Sequence, residues 1–144
     1  MITLANRTHQ FCAGHRVVGH ESKCAHLHGH NYTVTFFCKA DQLDSVGRVI
    51  DFSVIKSTLC QWLEDHWDHR MLIWQEDPLL DALHGLDNSV VSIPFNPTAE
   101  NMGQFLVDVV GPQQLQGTGV SLQAVNIMET GKCGVYVGNT DNLV

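Results

Sequence analysis

The most constraining stretch of this chain runs from His28 to Cys38. His28, His30, Tyr32, Val34, Phe36 and Cys38 share one parity, and Asn31, Thr33 and Thr35 share the other. A period of two sends alternate side chains to opposite faces of a strand, and the β-branched residues favour that conformation. The segment therefore reads as a strand whose apolar face begins with two imidazoles, with Gly29 leaving room between them. Two histidines on one strand face can be offered to one ion, and a third ligand must then come from another element. His15 is the first candidate, because it ends an extended segment, Ile2 to His15, that places Phe11, Ala13 and His15 on one face and can pair beside the strand of His28. Three neutral imidazoles leave one tetrahedral position of a zinc ion open, as in catalytic rather than structural zinc sites. Spacing alone leaves alternatives. His9, His20 or His26 can replace one of the three, Cys24 can close the site as a fourth ligand, and the pair can also be strand-end histidines that hydrogen-bond in place.

The rest of the chain supplies the framework. Asp51 or Ser53 can cap a helix reaching about Trp67, with Ile55, Leu59, Trp62, Leu63 and His66 at helical spacing. From Asp77-Pro78 to Asn88 the pattern is irregular with a short helical turn, and Val90 to Phe95 reads as a short strand. Thr98 caps a second helix, with Glu100 in its first turn and Met102, Phe105, Leu106 and Val109 as its apolar stripe, ended by Gly111-Pro112. Val120 to Glu129 and Gly134 to Val137 read as strands joined by a turn at Thr130 to Gly134. The expected fold is α+β: a four-stranded antiparallel sheet with two helices on one face, in the order ββααββ, within a single domain spanning 1–144.

Composition narrows the function. With a net charge of −7 and only eight Lys and Arg, nucleic acid and anionic membrane surfaces are poor partners, whereas a small anionic substrate held by a few cations and a metal is compatible. No apolar run approaches the roughly 20 residues of a membrane-spanning helix. The first residues lack a basic patch ahead of an apolar stretch, so a cytoplasmic location is expected. Five cysteines without a CxxC pair fit free thiols in a reducing compartment. Cys12, Cys38, Cys60 and Cys133 are read as structural.

Several motifs, in order, carry a resemblance. Phe11-Cys12-Ala13-Gly14-His15 and Cys24-Ala25-His26-Leu27-His28-Gly29-His30-Asn31-Tyr32 are followed by Val49-Ile50-Asp51-Phe52, Asp68-His69, Pro97-Thr98-Ala99-Glu100-Asn101, and Met128-Glu129-Thr130 before Val135-Tyr136. Together they resemble the 6-pyruvoyltetrahydropterin synthase superfamily over nearly the whole chain. Three residues separate Cys24 from His28, similar to the 6-carboxytetrahydropterin synthases of the queuosine (7-deazaguanine) pathway, whereas the pyruvoyl-forming enzymes usually carry a longer insert. One departure is Ile73 after Leu72, where the family commonly has asparagine.

The resemblance implies the tunnelling fold (T-fold), a homohexamer made of two trimers with active sites at subunit interfaces, and Zn2+ on His15, His28 and His30. It implies 7,8-dihydroneopterin triphosphate as substrate, with 6-carboxytetrahydropterin, acetaldehyde and triphosphate as products. Cys24 would be the base, working with Asp68 and His69 across a subunit boundary. A thiol near a metal or cation gains thiolate character, and a histidine oriented by a carboxylate suits proton transfer near neutrality. Glu129 would take the pterin's amino and ring N–H groups, with Glu100 a further substrate contact, and some of Arg16, Lys23, Arg48 and Lys132 would hold the phosphates. The pyruvoyl-forming reaction is the nearest alternative. A non-catalytic zinc protein, in which the metal only stabilises an oligomer, is the alternative of another class.

Overall fold

The computed structural model describes residues 1–140. Strand β1 (Ala5–His15) pairs antiparallel with β2 (His28–Ala40) along its full length, from Ala5 opposite Cys38 to His15 opposite His28. The alternation read from the sequence is the burial pattern observed. Phe11, Ala13 and His15 on β1 and Tyr32, Val34, Phe36 and Cys38 on β2 are buried. Antiparallel β5 (Val120–Met128) follows on the other side of β2, and β6 (Gly134–Gly138) lies beyond β5.

Helix α1 covers residues 52–66, with Asp51 capping it by accepting from the Ser53 backbone N–H. Ile55, Leu59 and Leu63 form its buried stripe. Helix α2 (Leu80–Leu86) is short and buries none of its residues. Helix α3 covers residues 99–114 and is capped by the Thr98 side chain, which accepts from the Asn101 N–H. Met102, Leu106 and Val110 join the α1 stripe and the β1–β2–β5 face in one core. Close approach explains two glycines on α3: a Cβ at Gly103 would lie 2.7 Å from Val137 Cγ2, and one at Gly111 would lie 2.7 Å from Leu122 Cβ.

The architecture is α+β, but it corrects the expectation of a four-stranded antiparallel ββααββ sheet with two helices. Two further strands extend the sheet in parallel beyond β1: β3 (Met71–Trp74), which the sequence reading did not mark, and β4 (Val90–Ile93), which it read as a short strand but left outside the sheet; among the described residues the order is β4-β3-β1-β2-β5-β6, a mixed sheet of six with three helices. Met71 to Trp74 is only four residues long, and both Leu72 and Ile73 are fully buried, so it shows no alternation. A short strand buried on both faces gives no periodic signal. Ile73, the departure from the family pattern, is therefore a core residue. Helix α3, expected to end at Gly111-Pro112, passes through them instead. Its preceding turn is a π-helix in which the Gly111 N–H reaches the Leu106 carbonyl, and this wider turn carries the helix into Pro112.

Candidate metal centre and active site

Because His15 pairs with His28 and Ala13 with His30, three imidazoles meet at one end of the β1–β2 ladder, on the face that continues into the core. One nitrogen from each of His15, His28 and His30 lies within 4.8 Å of the others. The His15 and His28 Nε2 atoms are 3.0 Å apart. Two nitrogens bound to one tetrahedral zinc at about 2.0–2.1 Å would stand about 3.3 Å apart.

Hydrogen bonding sets the tautomers. His15 Nδ1 lies 2.6 Å from the Pro97 carbonyl, and His28 Nδ1 lies 2.7 Å from the His26 carbonyl. A carbonyl only accepts, so each Nδ1 carries the proton and each Nε2 presents a lone pair. Two lone pairs then face each other with no proton between them. The third nitrogen, His30 Nε2, is buried without a hydrogen-bond partner and stands 4.0 Å from Glu129 Oε2. Such an arrangement is costly unless a cation sits among the nitrogens, and outer carbonyls that orient ligating histidines are the usual surroundings of a metal. The donor set fits zinc.

Burial disfavours the charged form of two of these rings, His15 and His30. It lowers His15 to about 4, against an opposing effect of the Pro97 carbonyl and with added repulsion from His28 and His30. Burial also lowers His30, partly offset by Glu129. Beneath them, burial first and then the charges of Glu129 and Cys24 push the Tyr32 hydroxyl far up, so it stays protonated. Glu129 follows β5, and its backbone N–H donates to the Cys133 carbonyl in the turn to β6.

Cys24 sits in a single 3-10 turn, Lys23–Ala25, half-buried and outside the three-nitrogen group. His9, His20 and His26 are outside it too: His9 pairs with Glu64 at 2.6 Å, and His20 Nδ1 accepts from the Ser22 N–H. The turn holding Cys24 is clamped. Arg16, next to His15, donates to both carboxylate oxygens of buried Asp77 at 2.7 and 3.0 Å and to the Ala25 carbonyl at 2.9 Å. Asn96 adds a two-point bond to the Val18 backbone. Arg16 is thus committed internally and leaves the phosphate candidates. Arg48 is paired with Asp44 and Asp51, while Lys23 and Lys132 are exposed.

Asp68 and His69 lie elsewhere. His69 Nδ1–H donates to Asp68 Oδ2 at 2.8 Å, and His69 takes a positive φ of 57° while its N–H donates to the Cys12 carbonyl. Cys12, read as structural from the sequence, joins this pair. Its N–H donates to Asp68 Oδ1, and its sulfur is 3.5 Å from His69 Nε2. Burial pushes the Asp68 carboxyl up, but the bonds from His69 and the Cys12 N–H outweigh it and hold the group below the usual range. Cys12 adjoins Ala13 on β1, so its side chain leaves the sheet face opposite the three histidines. There it lines a cleft of about 380 Å³ with Gly14, Asn31, His69, Arg70 and Met71. Glu100 is exposed in the first turn of α3.

These features define the class. The 6-pyruvoyl tetrahydropterin synthase family model matches residues 5–139, and the chain belongs to that family. Among its relatives, the 6-carboxy-5,6,7,8-tetrahydropterin synthase of Rickettsia felis is 33% identical over 130 residues, covering 89% of this chain and 94% of that protein. An uncharacterized protein of Wolinella succinogenes has the same fold, with a TM-score of 0.85, 24% identity and coverage of 96% and 99% of the two chains. The 6-pyruvoyl tetrahydropterin synthase of Caenorhabditis elegans superposes with a TM-score of 0.69 at 21% identity, covering 97% of each chain, which places this fold with the T-fold structures.

Proposed function

We propose that this single-domain chain is a zinc-dependent 6-carboxytetrahydropterin synthase, converting 7,8-dihydroneopterin triphosphate to 6-carboxytetrahydropterin, acetaldehyde and triphosphate within 7-deazaguanine synthesis. The observation that carries the reading is the meeting of His15, His28 and His30, with His30 Nε2 buried and unpartnered. The Rickettsia relative, matched over nearly the whole of both chains, supports the carboxy-forming branch. So does the short spacing from Cys24 to His28.

When bound, zinc would supply Lewis acidity toward substrate oxygens. The chain's residues do the rest. Glu129, directed toward His30, offers a carboxylate to the planar amino and ring N–H donors of a pterin, with Glu100 a weaker candidate for substrate contact. Cys24 takes a proton from the side-chain carbon, its turn held by the Arg16–Asp77 clamp. His69, oriented by Asp68, moves a second proton. Within one chain the Asp68–His69 pair bonds to Cys12, on the sheet face opposite the histidines, and the sheet ends on β4 and β6. This separation supports a site completed by a second copy, as in the proposed dimer of trimers, in a cytoplasmic homohexamer.

Mass spectrometry of the products from 7,8-dihydroneopterin triphosphate tests the branch. Acetaldehyde and the 6-carboxy product are expected, and 6-pyruvoyltetrahydropterin alone would overturn it. Metal analysis of Cys24→Ala tests the chemistry: zinc stays and turnover is lost. Release of the metal by that substitution would favour the non-catalytic zinc protein.

A further inference from the structure

We propose that Arg70 grips the phosphate chain of the substrate in the cleft beside His69, a contact that names the anion-binding part of the site proposed above and rests on that reading. The chain has four arginines, and three have partners within the protein. Arg7 donates to the Phe52 carbonyl at 3.3 Å, Arg16 to Asp77 and the Ala25 carbonyl, and Arg48 to Asp44 and Asp51. Arg70 is exposed, and its guanidinium has no hydrogen-bond or ion-pair partner among the described residues. Its backbone is fixed nonetheless: the N–H donates to the Trp67 carbonyl at 3.2 Å, and the carbonyl accepts from the Gly14 N–H at 2.9 Å. A planar fork of donors on a held backbone suits phosphate oxygens, which it can meet two at a time.

The cleft, of about 380 Å³, is in the size range of small-molecule sites. Its floor is low because Gly14 and Gly29 face each other across the β1–β2 ladder without side chains. In a protein of net charge −7, no Asp or Glu lines it. Asp68 and Asp87, which bond to the lining residues His69 and Ser89, are engaged by those bonds. Opposite Cys12, Asn31 adds a side-chain amide to the lining. An anion entering the cleft therefore meets Arg70 and neutral donors, with no carboxylate on the walls. The proposed substrate carries its triphosphate on the same short side chain whose protons His69 would move. Whichever copy of the chain supplies His69 therefore brings Arg70, the next residue, to that phosphate end. Lys23 stands next to Cys24 and Lys132 in the β5–β6 turn, both outside the cleft.

Calorimetry with inorganic triphosphate on the zinc-loaded protein tests the cleft, with zinc content checked after each titration. Arg70→Gln should raise the Kd at least about tenfold, Arg70→Lys should recover part of the loss, and Lys56→Gln should stay within about twofold of the parent chain. An unchanged Kd in Arg70→Gln, or a tenfold loss that comes instead from Lys23→Gln or Lys132→Gln, overturns the site. Steady-state kinetics with 7,8-dihydroneopterin triphosphate then separate gripping from packing: Arg70→Gln should raise KM at least about tenfold while kcat changes less than about threefold. A weakened triphosphate affinity with an unaltered KM would assign the cleft to free polyphosphate and overturn the substrate role. The calorimetric result decides anion binding even for a chain that turns over no pterin.

Discussion

Cys12 and Ala13 are neighbours on β1, yet the two regions they open onto are built differently. On the Ala13 face, the three histidines stand on paired strands, two with Nδ1 on a backbone carbonyl and one with a buried, unpartnered nitrogen. On the Cys12 face, His69 sits outside any strand at positive φ with its imidazole in solvent, held by one carboxylate. A metal centre needs ligands fixed in advance, which the core provides. A proton-transfer group needs only to meet its substrate, and can remain at a surface until another surface covers it. On the function proposed above, the difference teaches that one chain offers a pre-arranged set of metal donors and only part of a proton-transfer site.

That contrast can be broken by substitution. The largest effect is expected for His28→Ala: zinc content should fall from one per chain to near zero, with activity lost by a factor of at least about 10³, while the fold persists by circular dichroism. Retained zinc would mean the ligand set is wrong. His69→Ala should next reduce turnover by about 10²–10⁴ with zinc content unchanged. A loss of metal there would join two sites that the geometry separates.

Acid sensitivity should also fall on one side. His15 is held at about 4 in the folded chain, below its ordinary value of 6.5, so the unfolded chain binds that proton more readily. Stability from the neutral ring is complete above pH 6.5 and is lost as pH falls toward about 4. With ~1.4 kcal/mol per unit, the metal-free protein should lose about 3 kcal/mol over that window in denaturant melts. His15→Gln should remove that part of the slope, and an unaltered slope would refute the assignment. The smallest effect is expected from Asn96→Ala, which removes two bonds to Val18 and should cost about 1–2 kcal/mol, lowering zinc affinity more than it disturbs Asp68–His69.

What the sequence disclosed follows the same division. The alternation through β2 located His28 and His30, and the long antiparallel pairing brings His15 beside them. Asp51 and Thr98 cap their helices as their positions suggested. Contacts between distant residues were hidden. Arg16 looked like a phosphate ligand until Asp77, sixty-one residues on, engaged it. Cys12 gave no periodic signal because it lies on the face away from the core, and its meeting with Asp68 and His69 depends on β3 returning parallel to β1. The apolar run Met71 to Trp74, buried at Leu72 and Ile73, was the missing clue: four consecutive apolar residues directly after Asp68-His69-Arg70 fit a short strand or core segment that carries the pair with it.

Zinc K-edge X-ray absorption of the isolated protein probes the heart of this account. Nitrogen and oxygen neighbours alone at about 2.0–2.1 Å are expected: three imidazoles and one exchangeable light ligand. A sulfur neighbour at about 2.3 Å would show Cys24 closing the coordination sphere, leaving no place for substrate.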